Sequence, residues 1–187
     1  MTKRFSTFLL CLGLGICINT HAQSQSFLIL GDIHYDLLEN HDMEWLQKKP
    51  DDLRQVTTEY TQFTKKNWPA FSKQLRNRVK TYKPEIKAIL QLGDISEGLA
   101  GSEQKAEQMA QSVVKAVDAV AMSIPWIITK GNHDITGPGA QEAFIKYYIP
   151  MFQKQLDRTD IASANYAHQI GENLFVCFDP WEKKIDV

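Results

Sequence analysis

Three short apolar runs constrain this chain more than any other feature. Residues 27–30, 86–92 and 126–129 each read as a buried strand, and each is followed by a glycine with Asp or Asn directly behind it: Gly31-Asp32, Gly93-Asp94 and Gly131-Asn132. Longer stretches with helical spacing separate them, so the strands are joined by crossovers and not by hairpin turns. The order β-α-α-β-α-β-α-β-β then predicts an α/β layered fold with its first three strands parallel. In such a sheet, ligands sit outside the carboxyl ends of the strands. Those ends are where the chain places Asp, His and Asn.

The segments between can be read locally. Residues 51–66 and 69–82 have apolar points at Val56, Tyr60, Phe63, Phe71, Leu75 and Val79, which predicts two helices broken near Pro69. Ser102 is placed to cap the strongest helix. In it Ala106, Met109, Ala110, Val113, Val114, Val117, Val120 and Ala121 recur at three- and four-residue steps as a packing stripe. Residues 140–157 are helical with an interruption at Pro150. Two closing strands, near 163–169 and 174–178, flank a Gly171-Glu172-Asn173 turn.

At the N-terminus, Lys3 and Arg4 precede an apolar run over 8–18, and Thr20-His21-Ala22 precedes a polar stretch. That is the pattern of a signal peptide over 1–22, cleaved after Ala22, with the domain at 23–187 secreted or periplasmic. As a membrane anchor the run would be about half of the roughly 20 residues needed to span. Of the three cysteines, Cys11 and Cys17 leave with the leader, and Cys177 alone forms no internal disulfide. Twenty-one basic against 22 acidic residues give a net charge of -1. No overall field favours a nucleic acid or an anionic membrane surface, and no later segment is apolar enough to span.

Singly, Asp32-Ile33-His34, Gly93-Asp94-Ile95-Ser96-Glu97 and Gly131-Asn132-His133-Asp134 are turn sequences. Jointly, three parallel strands deliver Asp32, His34, Asp94, Asn132, His133 and Asp134 to one sheet edge, which turns alone do not require. Carboxylate, imidazole and amide oxygen donors without thiolate suit divalent Mn, Fe or Zn.

With these residues in order, the sequence resembles the calcineurin-like metallophosphoesterases, whose blocks run D-x-H, G-D-x-x-(D/E) and G-N-H-(D/E). The resemblance implies a metallophosphoesterase-type β-sandwich flanked by helices, of which only the first β-α-β-α-β half is fully present here. It implies two divalent ions, with Asp32 and His34 on one, Asn132 on the second and Asp94 bridging. His133, hydrogen-bonded by Asp134, would contact the phosphoryl group of a small-molecule or lipid-headgroup phosphomonoester or phosphodiester attacked by metal-activated water. Glu97 and Asp134 stand where purple acid phosphatases have tyrosine and glutamate, which argues against that branch.

The family's further histidine and G-H-x-H element are not matched. After Asp134 the chain has only His168, which its strand-like surroundings mark as structural, and His41 sits in a polar stretch that reads as a solvated loop. The 98–102 stretch reads equally as a loop that approaches a phosphate through its backbone N–H groups and as a flexible loop leading into a helix, while Trp45, Trp68 and Trp181 read as packing residues. The chain is accordingly read as the N-terminal half of a longer domain, with one sheet face left bare. Two alternatives to the enzyme stay open: a catalytically incomplete remnant binding at most one metal, and a half-site completed by another chain.

Overall fold

The structure, a computed structural model, describes residues 24–182; the leader reading of 1–22 falls outside them. Strands β1 (Ser26–Leu30), β2 (Ile86–Gln91) and β3 (Trp126–Ile128) form a parallel sheet in the order β1-β2-β3. Central β2 is buried at four of its six residues and β3 at all three, as strands covered on both faces should be. Gln91 pairs with Leu30 on one side and Ile128 on the other, so the three strands end level. The loops that follow them therefore meet at one edge, as the sequence predicts.

The first crossover differs from expectation. It holds α1 (Met43–Leu46), capped by Asp42 accepting from the Glu44 and Trp45 N–H groups, then α2 (Pro50–Gln55) and α3 (Thr61–Thr81), which runs straight through Pro69. Pro69 and Lys65 are both exposed, so water can solvate the Lys65 carbonyl that loses its amide partner. The irregularity lies earlier, in a π-turn over Val56–Tyr60. Its surroundings are rich in threonine: Thr57, Thr58 and Thr61 hydroxyls donate to the carbonyls of Leu53, Arg54 and Val56 at 2.6, 2.7 and 2.8 Å. A second π-turn, Phe144–Tyr148, links α5 (Ala140–Ala143) to α6 (Ile149–Leu156). Pro150 follows that π-turn, and the helical path continues through it into α6.

Helix α4 (Glu103–Val120) buries Ala106, Met109, Ala110, Val113, Val117 and Val120 as its spacing predicts. Val114 is half-buried, and Ala121 is exposed because it is the left-handed residue that ends the helix. Ser102 occupies the cap position, but its side chain makes no capping bond.

Strands β4 (Tyr166–Ile170) and β5 (Asn173–Cys177) form an antiparallel hairpin around the two-residue turn Gly171-Glu172, starting later than expected. The Tyr166 hydroxyl donates to the Ile128 carbonyl at 2.8 Å and accepts from the Ile128 amide at 2.9 Å, tying the hairpin to β3. Phe175 meets Phe27 of β1 edge to face at 4.8 Å. Part of the sheet face is covered in this way, while Ile29 and Leu92 stay exposed at 63% and 57%. His168 lies within β4 opposite Phe175, consistent with a structural role. Among the described residues no helix is long and apolar enough to cross a membrane.

Candidate metal centre

The three loops lean on one another through backbone and strand-end side chains. Ile33 and His34 amides both donate to the Asp94 carbonyl, at 3.1 and 2.9 Å, and Tyr35 donates to Ile95 at 2.8 Å. Gln91, fully buried at the end of β2, exchanges two hydrogen bonds with Gly93 at 2.7 and 3.0 Å and reaches Gly31 O at 3.3 Å. It fixes the first two loops to each other. The third loop packs against Asp94 so closely that a Cβ on Gly131 would lie 2.0 Å from Asp94 Oδ1. That same oxygen accepts from the His133 amide at 2.8 Å.

This packing requires unusual backbone. His34 (φ 45°), Asp94 (φ 52°) and Leu99 (φ 59°) are left-handed without being glycine. Each such residue costs on the order of 1–2 kcal/mol, somewhat less for Asp, which tolerates the conformation. The loops between the strands over-determine it through the hydrogen bonds just described.

The outcome brings ligand atoms of Asp32, His34 and Asp94 within 4.8 Å of one another. Asn132 lies between Gly131 and His133, both of which touch Asp94, and it is exposed. Two carboxylates and an imidazole form a donor set that could hold a metal ion.

Glu97 organises the histidines. Fully buried, it accepts from His34 Nδ1 at 2.8 Å through Oε2, while its backbone carbonyl accepts from His133 Nδ1 at 2.8 Å. Its other carboxylate oxygen has no hydrogen-bond partner and lies 3.6 Å from His133 Nδ1, an ion-pair distance too long for a hydrogen bond. The carboxylate raises the His133 imidazole to about 9, against the opposing effect of burial. Burial would raise Glu97 in turn, but His133 and His34 outweigh it and hold the carboxyl below the ordinary value. His34, Glu97 and His133 are also close enough to share an ion, yet the contacts at 2.8 Å already serve as hydrogen bonds. With Nδ1 of each ring engaged, Nε2 is the free nitrogen of both.

Asp134 does not hold His133 as expected. It is buried, with Oδ1 accepting from Ser96 N and Oγ and Oδ2 accepting from Gly131 N, all at 2.9 Å. The tight turn over His133–Ile135 points consecutive side chains apart, so Asp134 staples loops two and three while its neighbour faces Glu97. Burial pushes its carboxyl up to about 6 despite those donors. His41 is likewise not solvated: its Nδ1 donates to Leu99 O at 3.0 Å, and its Nε2 shares a proton with Asp36 Oδ1 at 2.7 Å. The 98–101 stretch is buried, with Leu99 packed on Leu46 and Val56, and forms a fixed base for Glu97.

Trp45 and Trp68 are packing residues, against the Leu46 cluster and against Tyr35 and Phe71; Trp181 is 47% exposed. The strand reading gave no role to Gln91, whose only sequence signal is a lone amide closing an apolar run.

A family model described as calcineurin-like phosphoesterase matches residues 26–182. No curated protein matches the chain. The match extends from β1 through the hairpin and takes in all three loops, so the chain belongs to the calcineurin-like phosphoesterase family.

Proposed function

We propose that this chain is a metal-dependent phosphoesterase acting on a phosphomonoester or phosphodiester of a small molecule or lipid headgroup. The observation that carries this is the convergence of Asp32, His34 and Asp94 at the level ends of three parallel strands. Asp32 and His34 would hold one ion, Asn132 a second, and Asp94 would lie between them. When bound, divalent ions supply Lewis acidity, offsetting phosphoryl charge and making water acidic enough to attack near neutral pH.

The remaining tasks fall to the chain. Glu97 fixes the His34 ring so that Nε2 is presented for coordination. Asp94 holds the third loop through the His133 amide, coupling ligand position to the placement of that imidazole. His133, held at Nδ1 by the Glu97 carbonyl, has Nε2 open to stabilise phosphoryl charge or protonate a leaving oxygen. Asp134 is then a positioning residue for the loop that carries both Asn132 and His133.

This reading brings with it a layered β-sandwich to which the β4–β5 hairpin would belong, and export directed by residues 1–22. A one-ion, non-catalytic reading rests on a single observation: among the described residues, only Asp32, His34 and Asp94 form a three-donor group not already hydrogen-bonded within itself. Mn-supplemented hydrolysis of p-nitrophenyl phosphate and bis-p-nitrophenyl phosphate separates the two. The parent should turn over one of these esters, and Asp94→Ala should lose more than the roughly 10–100-fold typical of an outer-shell change. A folded parent that binds one equivalent of metal and hydrolyses neither ester would overturn the enzyme reading.

A further inference from the structure

His34 is hemmed in by aromatic rings on two sides. Tyr60 stacks on its ring with centroids 4.8 Å apart and planes 29° apart, while His133 meets it edge-on at 4.7 Å and 83°. Glu97 holds Nδ1 at 2.8 Å. Rotation of the imidazole about its bond to the backbone side would drive it into Tyr60 or break the Glu97 hydrogen bond. Only the Nε2 edge is left free.

Tyr60 belongs to a helical stretch that touches the first loop at three points. Tyr60 packs on His34, Trp68 meets Tyr35 at 5.2 Å, and the Thr64 hydroxyl accepts from the Asp36 amide at 2.9 Å. Tyr60 is the last residue of the π-turn over Val56–Tyr60, directly before α3. π-turns are rare, and they occur frequently at functional sites.

From these contacts we propose that Tyr60 is a positioning residue for metal coordination: its ring, stacked on the His34 imidazole whose Nδ1 is held by Glu97, keeps Nε2 toward Asp32 and Asp94. The proposal rests on the metal-centre reading above. No motif announces it, because Tyr60 lies in the helical crossover between the first and second blocks.

The test is Mn2+ binding by calorimetry, which is independent of turnover, with circular dichroism confirming the fold of each variant. Tyr60→Phe keeps the ring and should bind as the parent does. Tyr60→Ala should bind about 10–100-fold more weakly, the range for loss of an outer-shell partner. Tyr60→Leu restores bulk without a stacking face and should also bind weakly; it carries the test if the alanine variant does not fold. In the metal-free protein, the ring-current shift on the His34 imidazole protons should persist in Tyr60→Phe and vanish in Tyr60→Leu. Parent-like affinity in folded Tyr60→Leu, or equal weakening in Tyr60→Phe, overturns the proposal while leaving the metal centre intact. A parent that takes up no Mn2+ overturns both.

Discussion

The loop edge of the parallel sheet and the β4–β5 hairpin are built on opposite plans. At the loop edge, the deciding hydrogen bonds join residues 63, 39 and 38 positions apart, three non-glycine residues are left-handed, and buried carboxylates face histidines. In the hairpin, pairing runs locally from Ile170↔Asn173 to Tyr166↔Cys177, glycine takes the left-handed turn position, and Leu174, Val176 and Phe178 face outward. The first region gives up local comfort for a fixed arrangement of donors. In the second, local pairing decides the shape, and few side chains anchor it to the sheet.

Alanine at one glycine in each region should give the largest contrast. At Gly131 the new Cβ would sit 2.0 Å from Asp94 Oδ1 and 2.1 Å from its amide, with fixed backbone on one side. Gly131→Ala should cost roughly 3 kcal/mol or more, and at about 2–4 °C per kcal/mol its melting temperature should fall by roughly 6–12 °C. At Gly171 (φ 60°) the Cβ meets the end of the Gln25 side chain, which can move aside. Gly171→Ala should therefore show only the left-handed penalty, about 1 kcal/mol and 2–4 °C. Equal melting temperatures for the two variants would remove the distinction.

The histidines sharpen the comparison by titrating in opposite directions. His133 is raised to about 9 by Glu97, whereas His168 is lowered by burial and then by Arg158. In the metal-free chain, imidazole resonances should show His133 protonated well above neutrality and His168 neutral until below its ordinary value of 6.5. A raised folded-state pKa stabilises the protonated form. The His133 contribution is therefore full below about pH 6.5 and is lost as pH rises through about 9. For His168 the sign reverses, and stability falls as pH drops through 6.5 and below. Glu97→Gln should flatten the alkaline part of the melting-temperature profile; an unchanged slope would remove Glu97 as its source.

The smallest effect is expected on the outer hairpin face. Leu174 is 63% exposed, and Leu174→Lys should change stability by no more than about 0.5 kcal/mol, under roughly 2 °C by thermal denaturation. A larger loss would show that this face is packed in solution.

The strands and their stopping points were legible because apolar runs halted by glycine leave little choice of conformation. Helix α4 was legible from its sustained stripe. The π-turn was not, because Pro69 gives the stronger local signal; its cost here depends on whether the Lys65 carbonyl meets water, which the fold decides. The candidate donors could be read from the three blocks, but their support could not. Glu97 is visible as an acid in the second block, yet only the loop packing shows that it addresses His34 and His133 and that Asp134 turns away. His41 looked like a surface residue because Leu99, which receives its Nδ1 proton, lies 58 positions downstream.

The left-handed backbone at His34 and Asp94 sets two kinds of selection against each other. Glycine at either position would relax the backbone, but it would delete a candidate donor and, at position 34, strip the buried Glu97 carboxylate of a hydrogen-bond partner. Aspartate accepts this conformation with little complaint, so the sharper conflict is at position 34. On the proposed reading of the site, descendants released from holding ions should record drift there first, as a histidine giving way to asparagine, which tolerates the conformation and keeps a polar group beside Glu97.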